Sequence, residues 1–206
     1  TLISKLKIGD NYVYATYNGD ENYTIANTMG VFNVAKLNTT ITVTPTNITF
    51  GQDEIITVSV DANATGFIAV HINDKIYVEY INDQGVATFN ITGLAAGNYT
   101  NVRVTYYPTT TDFNSNVTTT SFTVSPTTDY KLHIIADDIE YGQNATIRVI
   151  VDPSANGNVT IYVDGKPVGT VNVTNGEAVL SNISGLAGGQ HVVNVTYNGD
   201  SKYAPK

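Results

Sequence analysis

The stretch VTIYVDGK, residues 159–166, decides the fold of this chain. Its first five residues alternate between small apolar side chains and the side chains of Thr160 and Tyr162, the period of two of a β-strand with one face in a core. Asp164-Gly165 follows at once, and this dipeptide is typical of two-residue turns between antiparallel strands. The stretch therefore predicts a β-hairpin whose second strand begins at Lys166.

Similar signals continue on both sides of this hairpin. Asn175-Gly176 predicts another short hairpin, and Gly165 and Gly176 are both expected to need a positive φ in these hairpins. Upstream, an apolar residue recurs at every second position from Ile147 to Val151. The chain is rich in Thr (30) and Tyr (14), which suit strands, and in Asn (23) and Gly (17), which suit turns. No stretch shows helical periodicity, so the sequence predicts an all-β fold of antiparallel sheets.

The chain consists of repeats of about 90 residues. Gly51-Gln52 recurs 91 residues later as Gly142-Gln143. The motif YNGD at residues 17–20 recurs 180 residues later at residues 197–200, which brings the N-terminal part into the same pattern. The predicted segments are the last strands (F and G) of one repeat at 1–36, a complete repeat at 37–124 and a repeat that lacks its last strand at 130–206.

The complete repeat contains seven predicted strands, A to G. Seven short strands in about 90 residues, with frequent turn signals, are typical of an immunoglobulin-like sandwich. The chain has no Cys and no Trp, so the disulfide and the buried Trp of antibody domains are missing. The tyrosine corner of such domains would fall at Tyr99 and at His191, and Asn11 holds the same place in the first segment. The predicted strands are 39–44, 54–61, 67–73, 76–81, 86–92, 99–107 and 117–124.

Four motifs connect the last repeat with a known group of proteins. They are Tyr141-Gly142-Gln143, the strand-turn-strand stretch 159–166, Leu186-Ala187-Gly188-Gly189, and VTYNGD at residues 195–200 followed by Tyr203. With these motifs the chain resembles the bacterial and archaeal immunoglobulin-like repeats of large surface proteins, especially the adhesin-like proteins of methanogenic archaea. The resemblance implies tandem immunoglobulin-like antiparallel β-sandwiches in an extracellular, cell-surface protein with a role in cell adhesion.

The charge balance and the missing residue types exclude several classes of function. The chain carries 10 Lys and Arg against 18 Asp and Glu, a net charge of −8, so it is not expected to bind nucleic acid, whose phosphates are neutralised by basic residues. The lack of Cys excludes disulfides and thiolate metal sites. No apolar run has the roughly 20 residues of a membrane span.

No catalytic constellation is visible in the sequence. His71, His133 and His191 fall at different strand positions of the repeats, so nothing brings two of them together as metal ligands or as part of a catalytic group. The chain is therefore predicted not to be an enzyme and to need no cofactor. Acidic turns are the one possible place for Ca²⁺, although their spacing matches no calcium loop and Asp and Asn commonly begin turns. These turns contain Asp20, Asp61, Asp137, Asp138 and Asp152.

A covalent cross-link between strands is a further hypothesis, since sandwich domains of surface adhesins often join Lys to Asn or Thr to Gln. Lys131, Gln52 and Gln143 are the candidates. A nucleophilic Lys needs a desolvated site with a nearby acid. The simpler interpretation is a solvated Lys and two turn Gln residues.

Asn-x-Ser/Thr is the strongest chemical signal in the sequence. It occurs twelve times, whereas 23 Asn and 39 Ser and Thr in 206 residues would give about four by chance. N-glycosylation of an exported protein would explain the excess, and so would outward strand faces made of Asn and Thr, because residues i and i+2 share a face. Asn194 is set aside because it lies between Val193 and Val195 in a predicted interior strand. The candidates are Asn22, Asn38, Asn47, Asn63, Asn90, Asn98, Asn116, Asn144, Asn158, Asn172 and Asn182.

Strand pairing between chains is suggested by the two incomplete repeats. The last repeat is expected to leave an unpaired edge at Val193, Val195 and Tyr197, and such an edge invites another strand. Phe32 and Val34 in the first segment align with the last strand of the complete repeat and are the candidate strand donors. The expected partners are therefore neighbouring copies of the chain or adjacent repeats.

These observations favour a non-catalytic extracellular segment that forms the stalk of a cell-surface adhesin-like protein. One alternative is a subunit of an extracellular filament assembled by donor-strand exchange. Another is a carbohydrate-binding module, and a surface glycan or protein of a host or neighbouring cell is a further candidate partner. The stacking rings of such a module would be Tyr77, Tyr80, Tyr106 and Tyr107.

Overall fold

The computed structural model describes residues 6–206, and the first five residues of the predicted 1–36 segment lie outside it. The described chain forms sixteen β-strands and no helix, which confirms the all-β prediction; accordingly, no helix there is long and apolar enough to cross a membrane. Contacts between Cα atoms divide the chain into two compact units. The first contains the chain up to Pro45 with Ile56–Phe89 and Asn101–Thr120, and the second contains Thr46–Ile55, Asn90–Thr100 and Ser121–Lys206. These units do not follow the predicted repeat boundaries, which stay a prediction.

The first segment forms a two-stranded antiparallel hairpin. Strands β1 (Gly9–Tyr17) and β2 (Ala26–Val34) pair along their whole length, from Gly9 opposite Val34 to Tyr17 opposite Ala26. The two strands predicted for this segment, F and G, are therefore present as β1 and β2.

The complete repeat contains one more strand than predicted, because strand A is divided. Strand β3 (Thr42–Thr44) pairs with one sheet and β4 (Ile48–Thr49) pairs in parallel with another. Pro45 lies between them, and proline cannot continue a hydrogen-bonded ladder because it has no N–H. The predicted single strand 39–44 thus ends correctly at Thr44, but it begins three residues too early and misses the second piece at Ile48–Thr49.

The strands of this repeat form a three-stranded and a five-stranded sheet. The first has the order β3-β5-β8 and the second β4-β10-β9-β6-β7. Both sheets bury alternate residues, such as Ile56 and Val58 in one and Ile68 and Val70 in the other. The remaining strands are β5 (Glu54–Ser59), β6 (Gly66–Ile72), β7 (Lys75–Tyr80), β8 (Val86–Ile91), β9 (Gly97–Pro108) and β10 (Asn116–Ser125).

The last repeat has two three-stranded sheets around one core, in the orders β11-β12-β15 and β14-β13-β16. Ile147 and Val149 of the first sheet share a buried cluster with Val159, Ile161 and Tyr197 of the second. The described part of the repeat has no strand beside β16 other than β13. Its strands are β11 (His133–Ala136), β12 (Ala145–Ile150), β13 (Asn158–Val163), β14 (Lys166–Asn172), β15 (Glu177–Ile183) and β16 (Val193–Tyr197).

The two predicted turns are confirmed in conformation. Asp164 and Gly165 have φ of 49° and 75°, and Asn175 and Gly176 have φ of 51° and 76°, so both central residues are left-handed in each turn. Asp164-Gly165 joins β13 and β14 as a hairpin. Across Asn175-Gly176, Thr174 and Glu177 form a single antiparallel bridge. The flanking strands β14 and β15 belong to different sheets, so the predicted hairpin does not extend beyond this pair.

Candidate functional site

A corner hydrogen bond recurs in all three copies, with a different side chain in each. Asn11 Nδ2 donates to the carbonyl of Lys7 at 2.8 Å and the Tyr99 hydroxyl to that of Ala95 at 2.9 Å. His191 Nε2 lies 2.9 Å from the carbonyl of Ala187 and must donate to it, because a carbonyl only accepts. The predicted tyrosine corner is thus a position that any donor of suitable reach can hold.

His191 also contacts an acid that the sequence does not place near it. Its Nδ1 lies 2.6 Å from Asp164 Oδ2, and Val192 N donates to Asp164 Oδ1 at 2.9 Å. The Ala187 carbonyl and then the Asp164 carboxylate raise the pKa of His191 above its ordinary 6.5. The bonds from His191 and from Val192 N lower the pKa of Asp164 below its ordinary 3.8. The pair therefore joins the β13–β14 turn to the residues just before β16.

We expect this pair to make stability depend on pH. A raised His pKa means that its contribution is fully present below pH 6.5 and is lost as pH rises through the higher folded value. The lowered pKa of Asp164 means that its contribution is present above pH 3.8 and is lost as pH falls through the lower folded value. The melting temperature of the wild type should therefore fall as pH rises above 6.5, and it should fall less in His191→Tyr, which installs the residue of the middle repeat.

His133→Gln is the control for this titration, because His133 is exposed and has no side-chain hydrogen bond in the described structure. It should keep the wild-type pH dependence. An equal dependence in wild type and His191→Tyr would show that the pair contributes nothing.

In the acidic turns, the carboxylates of Asp20, Asp61 and Asp152 accept hydrogen bonds from backbone N–H groups. Asp20 Oδ1 accepts from the N–H groups of Asn22 and Tyr23, both at 2.8 Å. Asp200 Oδ1 makes the equivalent bonds with Lys202 at 2.7 Å and Tyr203 at 2.8 Å. Asp61 and Asp152 likewise accept from the N–H two residues on. Residues 6–206 contain no group of three or more acidic or His side chains that could hold a metal ion. These contacts support the interpretation as turn residues, and Ca²⁺ binding stays a hypothesis.

One carboxyl is fully buried, at Glu54 in strand β5. Its Oε1 accepts from Thr46 N at 2.8 Å, while Oε2 has no hydrogen-bond partner among the described residues. Burial raises the pKa of Glu54. No nucleophile or second acid is hydrogen-bonded to it in the described structure, so this carboxyl has a structural contact but no catalytic partner.

The candidates for cross-linking have turn contacts. Gln52 Oε1 accepts from Thr49 N, and Gln143 Oε1 accepts from Glu140 N, both at 2.9 Å. Lys131 is exposed, so it lacks the desolvation that a nucleophilic Lys needs. These contacts support the interpretation of Gln52 and Gln143 as equivalent turn residues and of Lys131 as a solvated side chain.

Ten of the eleven candidate glycosylation sites are exposed, and Asn158 is half-buried. Asn158 Oδ1 accepts from Asn198 Nδ2. Asn116 Nδ2, the atom that would carry a sugar, instead donates to the Thr39 carbonyl. Glycosylation itself stays a prediction. The sites that are exposed and make no side-chain hydrogen bond in the described structure are Asn22, Asn63, Asn90, Asn144, Asn172 and Asn182.

Asn194, which the sequence reasoning set aside, is also exposed. It alternates with Val193 and Val195 along β16, so its side chain lies on the opposite face of the strand. Apolar neighbours in sequence are therefore no argument for burial in a strand.

The four candidate stacking rings do not form one surface. Tyr106 is fully buried and its hydroxyl donates to the Thr65 carbonyl at 2.8 Å, so the prediction is wrong for this residue. Tyr107 stacks on Phe67 with ring centroids 5.1 Å apart, and Tyr80 meets Phe67 edge-on at 5.9 Å. Tyr77 is half-buried. The exposed rings therefore pack across strands, as aromatic pairs commonly do.

The three predicted acceptor residues differ in burial and in backbone pairing. Val193 and Val195 are half-buried, whereas their counterparts in the middle repeat, Val102 and Val104, are 2% and 0% exposed. Tyr197 differs, because it is fully buried and exchanges two main-chain hydrogen bonds with Lys206, of 2.8 and 3.0 Å. Among the described residues, β13 is the only strand that pairs with β16, and strand acceptance by β16 stays a prediction.

The predicted donors lie on a fully paired strand. Phe32 in β2 is 38% exposed and Val34 is half-buried, and both lie opposite residues of β1. The structure thus presents their side chains partly to solvent while β1 covers one edge of their strand.

Comparisons with known proteins agree with this architecture. The family model of the bacterial Ig-like domain (group 3) matches residues 135–206, which confirms the predicted immunoglobulin-like repeat there. No match was found among the curated proteins.

Three solved structures are similar to the chain. The fibronectin(III)-like modules of Clostridium thermocellum CbhA share 17% identity, over 81% of this chain and 90% of that chain, with a TM-score of 0.34. A Ca²⁺-stabilized adhesin with which an Antarctic bacterium binds ice shares 15% identity, over 95% of this chain and 56% of that chain, with a TM-score of 0.33. A 1.5-MDa bacterial ice-binding adhesin shares 13% identity, over 90% of this chain and 71% of that chain, with a TM-score of 0.33. The chain thus spans little more than half of the second of these.

Proposed function

On the premise that residues 135–206 carry a bacterial Ig-like repeat, we propose that the chain is a non-catalytic stalk segment of an exported, adhesin-like surface protein. A stalk must hold its repeats in line, which requires short connections and contacts at each junction. The observation that carries the proposal is the junction after β10.

This junction leaves few freely rotating residues. Strand β10 ends at Ser125, and Thr127 is already bonded to the last repeat: Thr127 N donates to the Lys202 carbonyl and Ala204 N donates to the Thr127 carbonyl, both at 2.9 Å. We call this pair of main-chain hydrogen bonds, which places Thr127 beside Tyr203, a clasp. An equivalent clasp occurs 90 residues earlier, where Leu37 pairs with Phe113. Only Pro126 separates the strand from the clasp, and its φ is restricted by its ring.

Side chains close the same junction. Phe50 N donates to the Ser125 carbonyl at 2.7 Å, and the Phe50 ring meets the Tyr203 ring edge-on with centroids 6.1 Å apart. Lys202 Nζ lies 5.8 Å from the centre of the Phe50 ring, within the range of a cation–π contact. All of these residues belong to the second of the two compact units. Phe50 therefore supports a stiff connection.

Spin labels at Thr92→Cys and Val179→Cys test this stiffness, since the chain has no other Cys. We expect a narrow distribution of interspin distances in the wild-type background and a broad one after Phe50→Ala, because the substitution removes both ring contacts. Phe67→Ala is the matched control, since Phe67 contacts Tyr80 and Tyr107 instead. A broad distribution in the wild-type background would contradict a stiff stalk.

A further inference from the structure

Strand β7 forms an uncovered edge of the five-stranded sheet in the complete repeat. The strand order of this sheet ends at β7, and among the described residues β6 is the only strand that pairs with it. Its alternate residues Ile76, Val78 and Tyr80 are 61%, 51% and 74% exposed. An exposed apolar strand at the edge of a sheet is a template for pairing with another chain.

The equivalent edge of the last repeat, strand β14, carries features that prevent such pairing. At the repeat spacing of 91 residues, Pro167 and Gly169 hold the places of Ile76 and Val78. The register between β13 and β14 shifts at Val168, which is left as a bulged residue. Proline and bulges commonly protect edge strands from pairing. Strand β7 contains neither feature, since it pairs with β6 in one unbroken register.

The backbone groups of β7 that point to the open edge belong to Ile76, Val78 and Tyr80. Ile81 N donates to the Gly66 carbonyl at 3.1 Å, which continues the register of β6 and β7 by one pair. Successive residues of an antiparallel strand direct their main-chain groups to opposite sides, so the residues two, four and six positions before Ile81 also face β6. The N–H and C=O groups of the three apolar residues therefore point away from β6.

The charges of β7 make it complementary to a second copy of itself. Lys75 and Glu79 are exposed and lie at equal distances on either side of Tyr77, on the face opposite to Ile76 and Val78. When two such strands run antiparallel with their Tyr77 residues opposite each other, each Lys75 lies opposite Glu79 of the second copy. The same register places Ile76 opposite Val78, and both direct their backbone groups to the shared edge. Charge and hydrogen bonding therefore select the same register.

We propose that β7 binds β7 of a second copy, in an antiparallel pairing centred on Tyr77 that joins the two five-stranded sheets edge to edge. Main-chain hydrogen bonds between Ile76 and Val78 would supply affinity, and the Lys75–Glu79 pairs would set the register. The same surface is used on both copies, so the contact closes as a two-fold symmetric dimer. Because the interface is small, we expect a dissociation constant on the order of 0.1 mM. This pairing goes beyond the proposed stalk, to which it adds a contact between neighbouring copies.

Cysteine cross-linking tests the register, since the chain has no Cys of its own. In the proposed pairing, the two residues of a Tyr77→Cys dimer lie opposite each other with Cα atoms about 4.5 Å apart, within the range of a disulfide. Two Val78→Cys residues would lie diagonally, about 7–8 Å apart, and are expected to cross-link poorly. Efficient cross-linking of Val78→Cys without that of Tyr77→Cys would overturn the proposed pairing.

Sedimentation equilibrium of the intact chain over a concentration series, at about 0.15 M salt, tests the dimer itself. We expect the wild type to show a monomer–dimer equilibrium. Lys75→Glu and Glu79→Lys should each weaken self-association about tenfold or more, because each variant places like charges opposite each other at two positions. A mixture of the two variants should form a heterodimer about as stable as the wild-type dimer, since every Glu then lies opposite a Lys.

Lys166→Glu is the matched control, because it makes the same charge change at the equivalent place of β14 and should leave association unchanged. Ile76→Pro installs the residue that β14 has at Pro167 and removes an N–H that points to the open edge, so the repeat should stay folded but monomeric. A wild type that stays monomeric up to about 1 mM would overturn the proposal, as would a mixture of the two charge variants that is no more dimeric than its components. Equal effects of Lys75→Glu and Lys166→Glu would also overturn it.

Discussion

Replacing Tyr197 by Ala is expected to destabilise the last repeat by about 3–5 kcal/mol, the usual cost of truncating a large buried aromatic residue. Tyr197 is 0% exposed, its ring meets that of Tyr130 edge-on at 5.7 Å, and its hydroxyl donates to the Asn156 carbonyl at 2.6 Å. The substitution removes the ring and leaves the Asn156 carbonyl without this donor. Denaturant unfolding measures the change in the free energy of unfolding between the wild type and the variant, provided that both have the same m-value.

Two further variants divide this effect. Tyr197→Phe keeps the ring and should cost about 1–2 kcal/mol, the loss of one buried hydrogen bond. Tyr141→Ala removes a Tyr that is 85% exposed and should change stability by less than about 0.5 kcal/mol. A cost for Tyr197→Ala no larger than that for Tyr141→Ala would mean that Tyr197 is not part of the core.

Gly176→Ala is expected to cost about 3 kcal/mol, because it combines two penalties. Gly176 has a φ of 76°, where a side chain costs about 1–2 kcal/mol, and a Cβ there would lie 2.7 Å from the Asp152 carbonyl oxygen, so the backbone must shift. Gly85, its counterpart 91 residues earlier, has a φ of 74° and would place a Cβ 2.6 Å from the Asp61 oxygen. Thermal unfolding of the alanine variants measures both.

Other glycines separate the two penalties. Gly165 has a φ of 75° with no atom within 4 Å of an added Cβ, so Gly165→Ala should show only the backbone term of about 1–2 kcal/mol. Gly188 has neither feature, and Gly188→Ala should change stability by less than about 0.5 kcal/mol. Equal costs at Gly176 and Gly188 would contradict this account of the turn.

Sequence reasoning failed in this chain where a contact joins distant segments. His191 and Asp164 are 27 residues apart, and nothing in the sequence indicates that their side chains meet. Phe50 and Tyr203 are 153 residues apart and lie in consecutive repeats. The clasp at Thr127 is likewise a backbone pairing, for which the side chains give no signal. The 90-residue spacing of the two clasps is the only trace of these contacts that the sequence contains.

What the sequence determined by itself is local. The alternation in 159–166 and the pairs Asp164-Gly165 and Asn175-Gly176 predict strands and left-handed turns correctly, because side-chain period and φ depend on neighbouring residues. Only the tertiary structure decided which strands share a sheet: the turn at Asn175-Gly176 leads into the opposite sheet, and Pro45 divides strand A between two sheets. Likewise, the alternation in β16 identifies an inner face at Val193 and Val195 but does not show whether a strand covers it. The physical reason is that edge pairing and burial depend on which distant segment arrives at the sheet, and that choice is made by the packing of the whole repeat.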